Sequence, residues 1–459
     1  MAKKKTVWYC TECGYESPKW MGQCPSCGAW NTMQEETVVK ETGASATSRN
    51  RSLFNPENTR PVPLSEISTD IENRTSLGGK ELDRVLGGGM VSGSIVLLGG
   101  EPGIGKSTLS LQIPLKCNKL TTLYVSGEES AKQIKLRGER LGGEQKNCMV
   151  LAETLLENII DQARNIKPDL LIIDSIQTIY SQNIDSSAGS VSQVKECAAT
   201  LLRYAKETGT PVIIIGHITK DGSIAGPKIL EHIVDVVLQF EGDTRQSFRI
   251  LRSIKNRFGS TDELAVYQMT GTGLEEIVNP SELFMPMHGT DLSGIAIAAM
   301  IDGSRPFLIE VQALVSTAAY GTPQRSATGF DVRRMNMLLA VLEKRVGFKL
   351  SQKDVFLNIS GGIKIDDPAC DLAIIAAILS SNFDIPLSQR TAFIGEAGLS
   401  GEIRPASQTE KRIAEAAKLG FEKVFISKYE KIPGLTAGQP HPEIIRISTI
   451  ADLVKATFR

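Results

Sequence analysis

A chain of 459 residues, 41% apolar and 22% charged, exceeds what one hydrophobic core ordinarily organises and is too apolar for disorder throughout, so two or three domains are expected. With 51 basic and 52 acidic residues the net charge is −1, which excludes a globally basic surface and leaves any nucleic-acid binding to local patches. No run approaches the roughly 20 apolar residues that span a bilayer, and no apolar segment follows the three N-terminal lysines as a signal peptide requires; a cytoplasmic protein with no membrane contact is expected.

The first segment, residues 1–32, carries Cys10-x2-Cys13 and Cys24-x2-Cys27, separated by ten residues and each followed by glycine, Gly14 and Gly28. Four thiolates on two tight turns are the donor set of a tetrahedral Zn²⁺, and so small a module folds on metal binding. Trp8, Tyr9, Trp20 and Trp30 either stack on bases or pack on the metal site. Residues 33–60 are rich in Thr, Ser, Asn and charge and read as a flexible linker. The other cysteines, Cys117, Cys148, Cys197 and Cys370, stand singly among apolar neighbours and read as packing residues.

From 61 to 279, short apolar runs at 94–99, 122–126, 169–174 and 211–216 alternate with amphipathic stretches, the pattern of an α/β unit whose parallel sheet is covered by helices. Gly100-Glu101-Pro102-Gly103-Ile104-Gly105-Lys106-Ser107-Thr108 matches G-x4-G-K-[ST] between the first of these strands and a helical run. In that context the loop amides cradle the phosphates of ATP, Lys106 reaches the β- and γ-phosphates, and Ser107 meets Mg²⁺. Asp174, ending an apolar strand, suits the second Mg²⁺ contact. Glu128, with Glu129 in reserve, sits where a base polarises the attacking water. His217 either senses the γ-phosphate or caps its strand. Between 245 and 259, Arg245, Arg249, Arg252, Lys255 and Arg257 occur without an acid, which points to phosphate contact with nucleotide or DNA.

Leu86-Gly-Gly-Gly-Met90, the P-loop and Asp174 pair, Gly216-His217-Ile-Thr-Lys220-Asp-Gly222 and, above all, Lys255-Asn256-Arg257-Phe258-Gly259 resemble the RadA (Sms) family of RecA-like DNA repair ATPases over the whole chain. The resemblance implies a zinc ribbon, a RecA-like P-loop core and a DNA-stimulated ATPase that drives branch migration and heteroduplex extension in recombination. It further implies a hexameric ring on single-stranded and branched DNA, with the RecA recombinase filament as partner. In such a ring Lys255 and Arg257, two residues apart on one strand face, would act in trans on a neighbour's γ-phosphate.

Residues 280–459 read as a second α/β segment, with strands expected at 282–288, 308–314 and 354–358. Ser360-Gly-Gly-Ile-Lys364, Asp366-Asp-Pro-Ala369-Cys-Asp371 and Gly395-Glu-Ala-Gly-Leu-Ser-Gly-Glu-Ile-Arg-Pro405 resemble the proteolytic domain of Lon. Ala369 falls where that family has its nucleophilic serine and Glu410 where it has its lysine, so a proteolytically inactive scaffold is expected. An active ATP-dependent protease and a nucleotide-gated DNA-binding scaffold are the alternatives. Cys370, beside the vacant position, has no histidine near it in sequence. Arginines and a lysine flank the apolar run from Arg333 to Arg345, which suits a DNA or subunit contact as well as an ordinary amphipathic helix.

Overall fold

Period-two burial organises the first large sheet. In the strand Ile95–Gly99, Ile95 and Leu97 enter one core with Leu123, Val125, Leu171 and Ile173, whereas Val96 and Leu98 enter a second with Tyr124, Ile172 and Ile213. A strand buried on both faces needs helices on both. Lys106–Lys116 supplies Leu109 and Ile113 to one side; Leu156–Ile166 and Val191–Thr208 supply Ile159, Val194 and Leu201 to the other. The computed structural model describes residues 4–10, 15–26, 28–39, 63, 74–143, 146–216, 227–242, 248–285, 292–318, 322–433 and 441–458. The chain divides into two units, Met1–Ile277 and Val278–Arg459.

The nine strands of that sheet run Gly273–Glu276, Leu264–Thr270, Phe248–Asn256, Val236–Glu241, Ile95–Gly99, Val212–Ile215, Leu170–Asp174, Thr122–Ser126 and Cys148–Ala152 from edge to edge. The last six are mutually parallel, as the alternating pattern led one to expect. The first three are antiparallel additions that the sequence reading did not separate out. Their connections are too short to hold a crossover helix, which leaves antiparallel pairing as the only topology open to them.

At the N-terminus, Lys4–Cys10 pairs with Glu16–Ser17 on one side and, from end to end, with Met33–Val39 on the other. The expected linker therefore does not begin at residue 33: Met33–Val39 is a strand, because backbone pairing and the burial of Met33 outweigh its polar composition. Residues 40–60 lie outside the described set.

The second unit is built on a seven-stranded sheet in the order Arg325–Thr328, Lys353–Ile359, Arg305–Thr317, Ile295–Asp302, Thr391–Phe393, Lys423–Ser427 and Glu443–Ile447. The helix Asp371–Phe383 is buried continuously from Asp371 to Ser380. Among the described residues of the expected strand 282–288, which are 282–285, no strand is formed. Pro280–Phe284 is a short helix with proline at its start, and its buried residues Pro280, Ser281 and Phe284 follow helical rather than alternating spacing. Residues 286–291 lie outside the described set. The run after Arg333 is helix Val332–Val341, closing in a π turn, Leu342–Val346. Among the described residues no helix is long and apolar enough to cross a membrane.

Candidate nucleotide site and the residues around it

The P-loop joins the carboxyl end of a central parallel strand to a helix N-terminus, the place where open α/β sheets receive ligands. Gly103 and Gly105 take φ of 76° and 120°, which only glycine adopts without strain, and a β-carbon at Gly105 would lie 3.0 Å from Met269 and 3.1 Å from Leu274. Ile104 anchors the loop in the core. The helix begins at Lys106 with no side-chain cap, leaving its first amides and the positive end of its dipole facing the loop. Lys106 is buried and donates from Nζ to the carbonyls of Gly100 (2.8 Å) and Glu101 (2.9 Å). Burial lowers its pKa to about 8, against the opposing pull of Asp174 and Glu128. Ser107 and Thr108 follow in the first turn, half-buried.

Asp174 ends its strand, and the buried Tyr124 hydroxyl donates to Asp174 Oδ2 at 2.6 Å. Burial, with Asp174 beside it, pushes the phenol well above its usual pKa, so Tyr124 remains a donor. The next residue, Ser175, donates from Oγ to Glu128 Oε1 at 2.8 Å. The Glu128 and Glu129 amides both donate to Ser126 Oγ, yet the side chains part: Glu129 pairs with Arg137 of helix Ala131–Leu141, while Glu128 stays with Ser175. Lys106, Asp174 and Glu128 thus come together, joined by Tyr124 and Ser175, which sequence reasoning missed. A tyrosine set between Leu123 and Val125 was the available signal. His217 lies outside the described residues.

Lys255 and Arg257 are elsewhere. Lys255 Nζ donates to the carbonyls of Glu231 and Val234, at the end of helix Pro227–Ile233, and burial together with Arg257 lowers its pKa. Arg257 Nη1 donates to Asp235 Oδ1 at 3.0 Å, and Asp235 Oδ2 accepts from Lys206 Nζ (3.1 Å) and from the amide of Ile95 (3.2 Å). Ile95 opens the P-loop strand and Gly99 closes it, so about 16 Å of strand separates this cluster from the loop. Neither cation faces the P-loop of its own chain.

Among the described residues of 245–259 the basic side chains are already paired within their own unit and do not form an open basic face. Arg249 is buried and donates to the Phe248 carbonyl, Arg252 pairs with Glu241, and Arg257 pairs with Asp235. The acids missing from the local sequence arrive from the neighbouring strand and its approach. Arg245 lies outside the described set. The rest of the Lys-Asn-Arg-Phe-Gly segment is a junction. Asn256 Oδ1 accepts from the Phe258 amide, and Arg74 donates to the carbonyls of Phe258 and Gly87. Gly259 packs so closely that a β-carbon there would meet Gly87 Cα at 3.0 Å.

In the ribbon, the amide of Cys10 donates to Tyr15 O and that of Cys24 to Ala29 O, both at 2.9 Å and both five residues on, so two like turns carry the cysteine pairs. Cys10 and Cys24 are buried in one cluster with Met33, against which Trp8 and Met21 pack. Two thiols brought together on matched turns fit a metal's donor set; Cys13 and Cys27 lie outside the described residues. Burial raises the remaining thiols, Cys148 to about 11, Cys197 to about 12, with Cys117 and Cys370 also shifted up, as packing residues would be.

In the second unit Ala369 is a core residue and Glu410 is exposed on the helix Thr409–Lys418. The buried cation near Ala369 is Arg412, which donates to Ser407 O (2.9 Å), Ala299 O (2.5 Å) and Asp367 Oδ2 (2.7 Å). Asp367 Oδ1 accepts from the Ala369 amide. Arg334 grips the buried Asp371 with two bonds, of 2.7 and 2.6 Å.

Residues 8–35 match the rubredoxin metal binding domain, 63–223 the AAA domain and 314–430 subunit ChlI of Mg-chelatase. The AAA match contains Lys106, Tyr124, Glu128 and Asp174, and the core is a RecA-like P-loop fold. The chain is 48% identical over 460 residues to the DNA repair protein RadA of Bacillus subtilis (strain 168), covering 100% of both. It is 48% identical to that of Streptococcus pyogenes serotype M6, again over 100% of both chains. For the RadA of Listeria monocytogenes serovar 1/2a the identity is 46%, over 99% of this chain and 98% of the other. The KaiC-like protein PH0186 of Pyrococcus horikoshii OT3 is 19% identical over 45% of this chain and 99% of that one, with a TM-score of 0.37.

Proposed function

Because the chain belongs to the RadA family of DNA repair proteins, we propose that it is a DNA-stimulated ATP hydrolase driving branch migration and heteroduplex extension during recombinational repair in the cytoplasm. The observation that carries this reading is the convergence of Lys106, Asp174 and Glu128 at the carboxyl edge of the parallel sheet. The amides of Gly100 to Thr108 hold the phosphates, and Lys106 neutralises charge on the β- and γ-oxygens. Ser107 and Asp174 hold Mg²⁺, which when bound offsets the charge that develops on the transferring phosphoryl group. Glu128, turned by Ser175, orients and polarises the attacking water, and Tyr124 fixes the Asp174 carboxylate. Cys10, Cys13, Cys24 and Cys27 hold Zn²⁺, which supplies the folding energy of the ribbon.

Lys255 and Arg257 act in trans. Their distance from the P-loop of their own chain supports this: as catalytic cations they serve only a neighbour's nucleotide, in a homo-oligomeric, hexameric ring on single-stranded or branched DNA beside the RecA filament. Arg257, with its side chain 55% exposed, exchanges Asp235 for phosphate at that interface. The second unit is a scaffold without protease activity, because Ala369 lacks a nucleophile and the nearby cation is an arginine, which does not act as a base.

The test is ATP turnover with and without single-stranded DNA, beside peptide cleavage on the same preparation. DNA stimulation without cleavage is expected; cleavage dependent on ATP would favour the protease. Lys106→Ala and Arg257→Ala chains, each inactive alone, should recover turnover when mixed, since an Arg257→Ala site then receives Arg257 from its neighbour. Mixed assemblies with no recovery would refute the trans assignment.

A further inference from the structure

All three tryptophans of the chain lie in its first 30 residues. The structure divides them. Trp8 packs against the cysteine cluster, whereas Trp20 and Trp30 are 54% and 69% exposed. Trp20 and Trp30 stand over one glycine: a β-carbon at Gly22 would lie 3.6 Å from the ring of Trp20 and 3.9 Å from that of Trp30. The backbone beneath is set, because Asn31 N donates to Gly22 O at 2.7 Å and Gln23 forms a β-bridge with Trp30. Among the described ribbon residues the exposed large apolar side chains are Tyr15, Trp20 and Trp30, with no aliphatic among them. Exposed indoles do nothing for a module stabilised by metal and cost solubility, so a ligand with flat apolar faces is the natural occupant.

Charge selects among such ligands. Residues 17–34, the stretch that carries both indoles, contain Lys19 and no acid, although the ribbon as a whole, residues 1–39, balances four lysines against four glutamates, so the positive charge is local to the indoles. A polyanion bearing stackable rings is favoured over an apolar protein surface. We propose that Trp20 and Trp30 form a stacking platform for the bases of single-stranded DNA, a second nucleic-acid contact beyond that of the ATPase unit. The DNA-acting reading of the chain supplies the ligand class on which this rests, but the platform needs neither ATP nor hydrolysis.

The location makes the test direct, because intrinsic tryptophan emission of the full-length protein reports on the ribbon alone. Titration with oligo-dT, without nucleotide, should quench that emission. Stacking is worth about 1–3 kcal/mol per base, so Trp20→Ala or Trp30→Ala should weaken oligo-dT binding about 5- to 150-fold. Trp20→Phe should keep most of the affinity, and Trp20→Leu should lose it as alanine does. Zinc content identifies variants whose ribbon still folds. Emission unchanged at saturating oligo-dT, a Trp20/Trp30 double alanine variant with unaltered affinity, or leucine serving as well as tryptophan would each overturn the platform. Quenching by a recombinase-coated strand but not by bare oligo-dT would place a protein there instead. DNA that quenches emission yet fails to stimulate hydrolysis would sink the motor reading and leave this one standing.

Discussion

Each unit of this chain buries a long cation near a carboxylate, and the two cations are treated differently. Lys106 sits at a loop with two carbonyl partners, its pKa drawn down to about 8 by desolvation and only partly restored by Asp174 and Glu128. Arg412, 1% exposed, is closed in by Asp367 and two backbone carbonyls in the middle of a packed core. A lysine held at the cost of desolvation gains free energy when phosphate arrives. An arginine that has already found its partners gains nothing more, and serves as a structural tie. Burial of a charge thus does not by itself mark a reactive centre; the decisive question is whether the surrounding groups leave it something to bind.

Four measurements test that contrast, in falling order of effect. Glu128→Gln should lower kcat about 10²- to 10⁴-fold, the ordinary range for a general base, while Glu129→Gln, which only loosens Arg137, should stay within about threefold. Equal effects would mean that the Ser175 bond does not select the base. Arg412→Ala should destabilise the second unit by about 3–5 kcal/mol in a denaturant titration, because Asp367 loses its buried partner. Lys106→Ala, by contrast, should cost turnover without lowering the thermal midpoint, since it removes a desolvated charge. Opposite results for these two would overturn the distinction.

The third measurement is pH. With a pKa of about 8 in the nucleotide-free protein and a higher one against phosphate, Lys106 binds a proton along with ATP whenever the pH exceeds 8. Affinity for a non-hydrolysable analogue should therefore be level below pH 8 and fall above it, approaching tenfold per unit, and Lys106→Ala should flatten the profile. A wild-type profile flat to pH 9.5 would contradict the burial argument. The smallest effect is none at all: Ala369→Ser should yield no peptide hydrolysis, because Arg412 cannot serve as a base and Glu410 is exposed on its helix. Measurable cleavage by that single variant would show that the second unit retains a catalytic centre.

Local patterns carried most of the first unit. Runs such as Leu170–Asp174 are apolar on both faces and bounded by turn residues, so their strand character and parallel setting follow from chain connectivity. The P-loop is legible for the same reason, since its glycines, lysine and serine act through the backbone of one continuous segment. Two matched cysteine turns are equally local. Elements whose character depends on a distant partner were not legible. Met33–Val39 is polar by composition and becomes a strand only because Lys4–Cys10 lies beside it, and Pro280–Phe284 helps to bury its helical face against Arg305–Thr317 through Ser281 and the Leu308 amide.

Among the functional side chains the division is sharper still. Residue type and spacing picked out Lys106, Asp174 and Glu128, and the resemblance to the proteolytic domain of Lon marked Ala369 as lacking a nucleophile. Partners remote in sequence decided the rest: Ser175 singles out Glu128 across 47 residues, and Asp235 ties Arg257 to the first residue of the P-loop strand across 140. Arg412 takes up Asp367 across 45, where the sequence resemblance had pointed to Glu410. A backbone turn is specified by the residues within it, whereas a side chain's charge state and direction are set by whatever the fold brings to within about 3 Å, and that is a property of the tertiary structure.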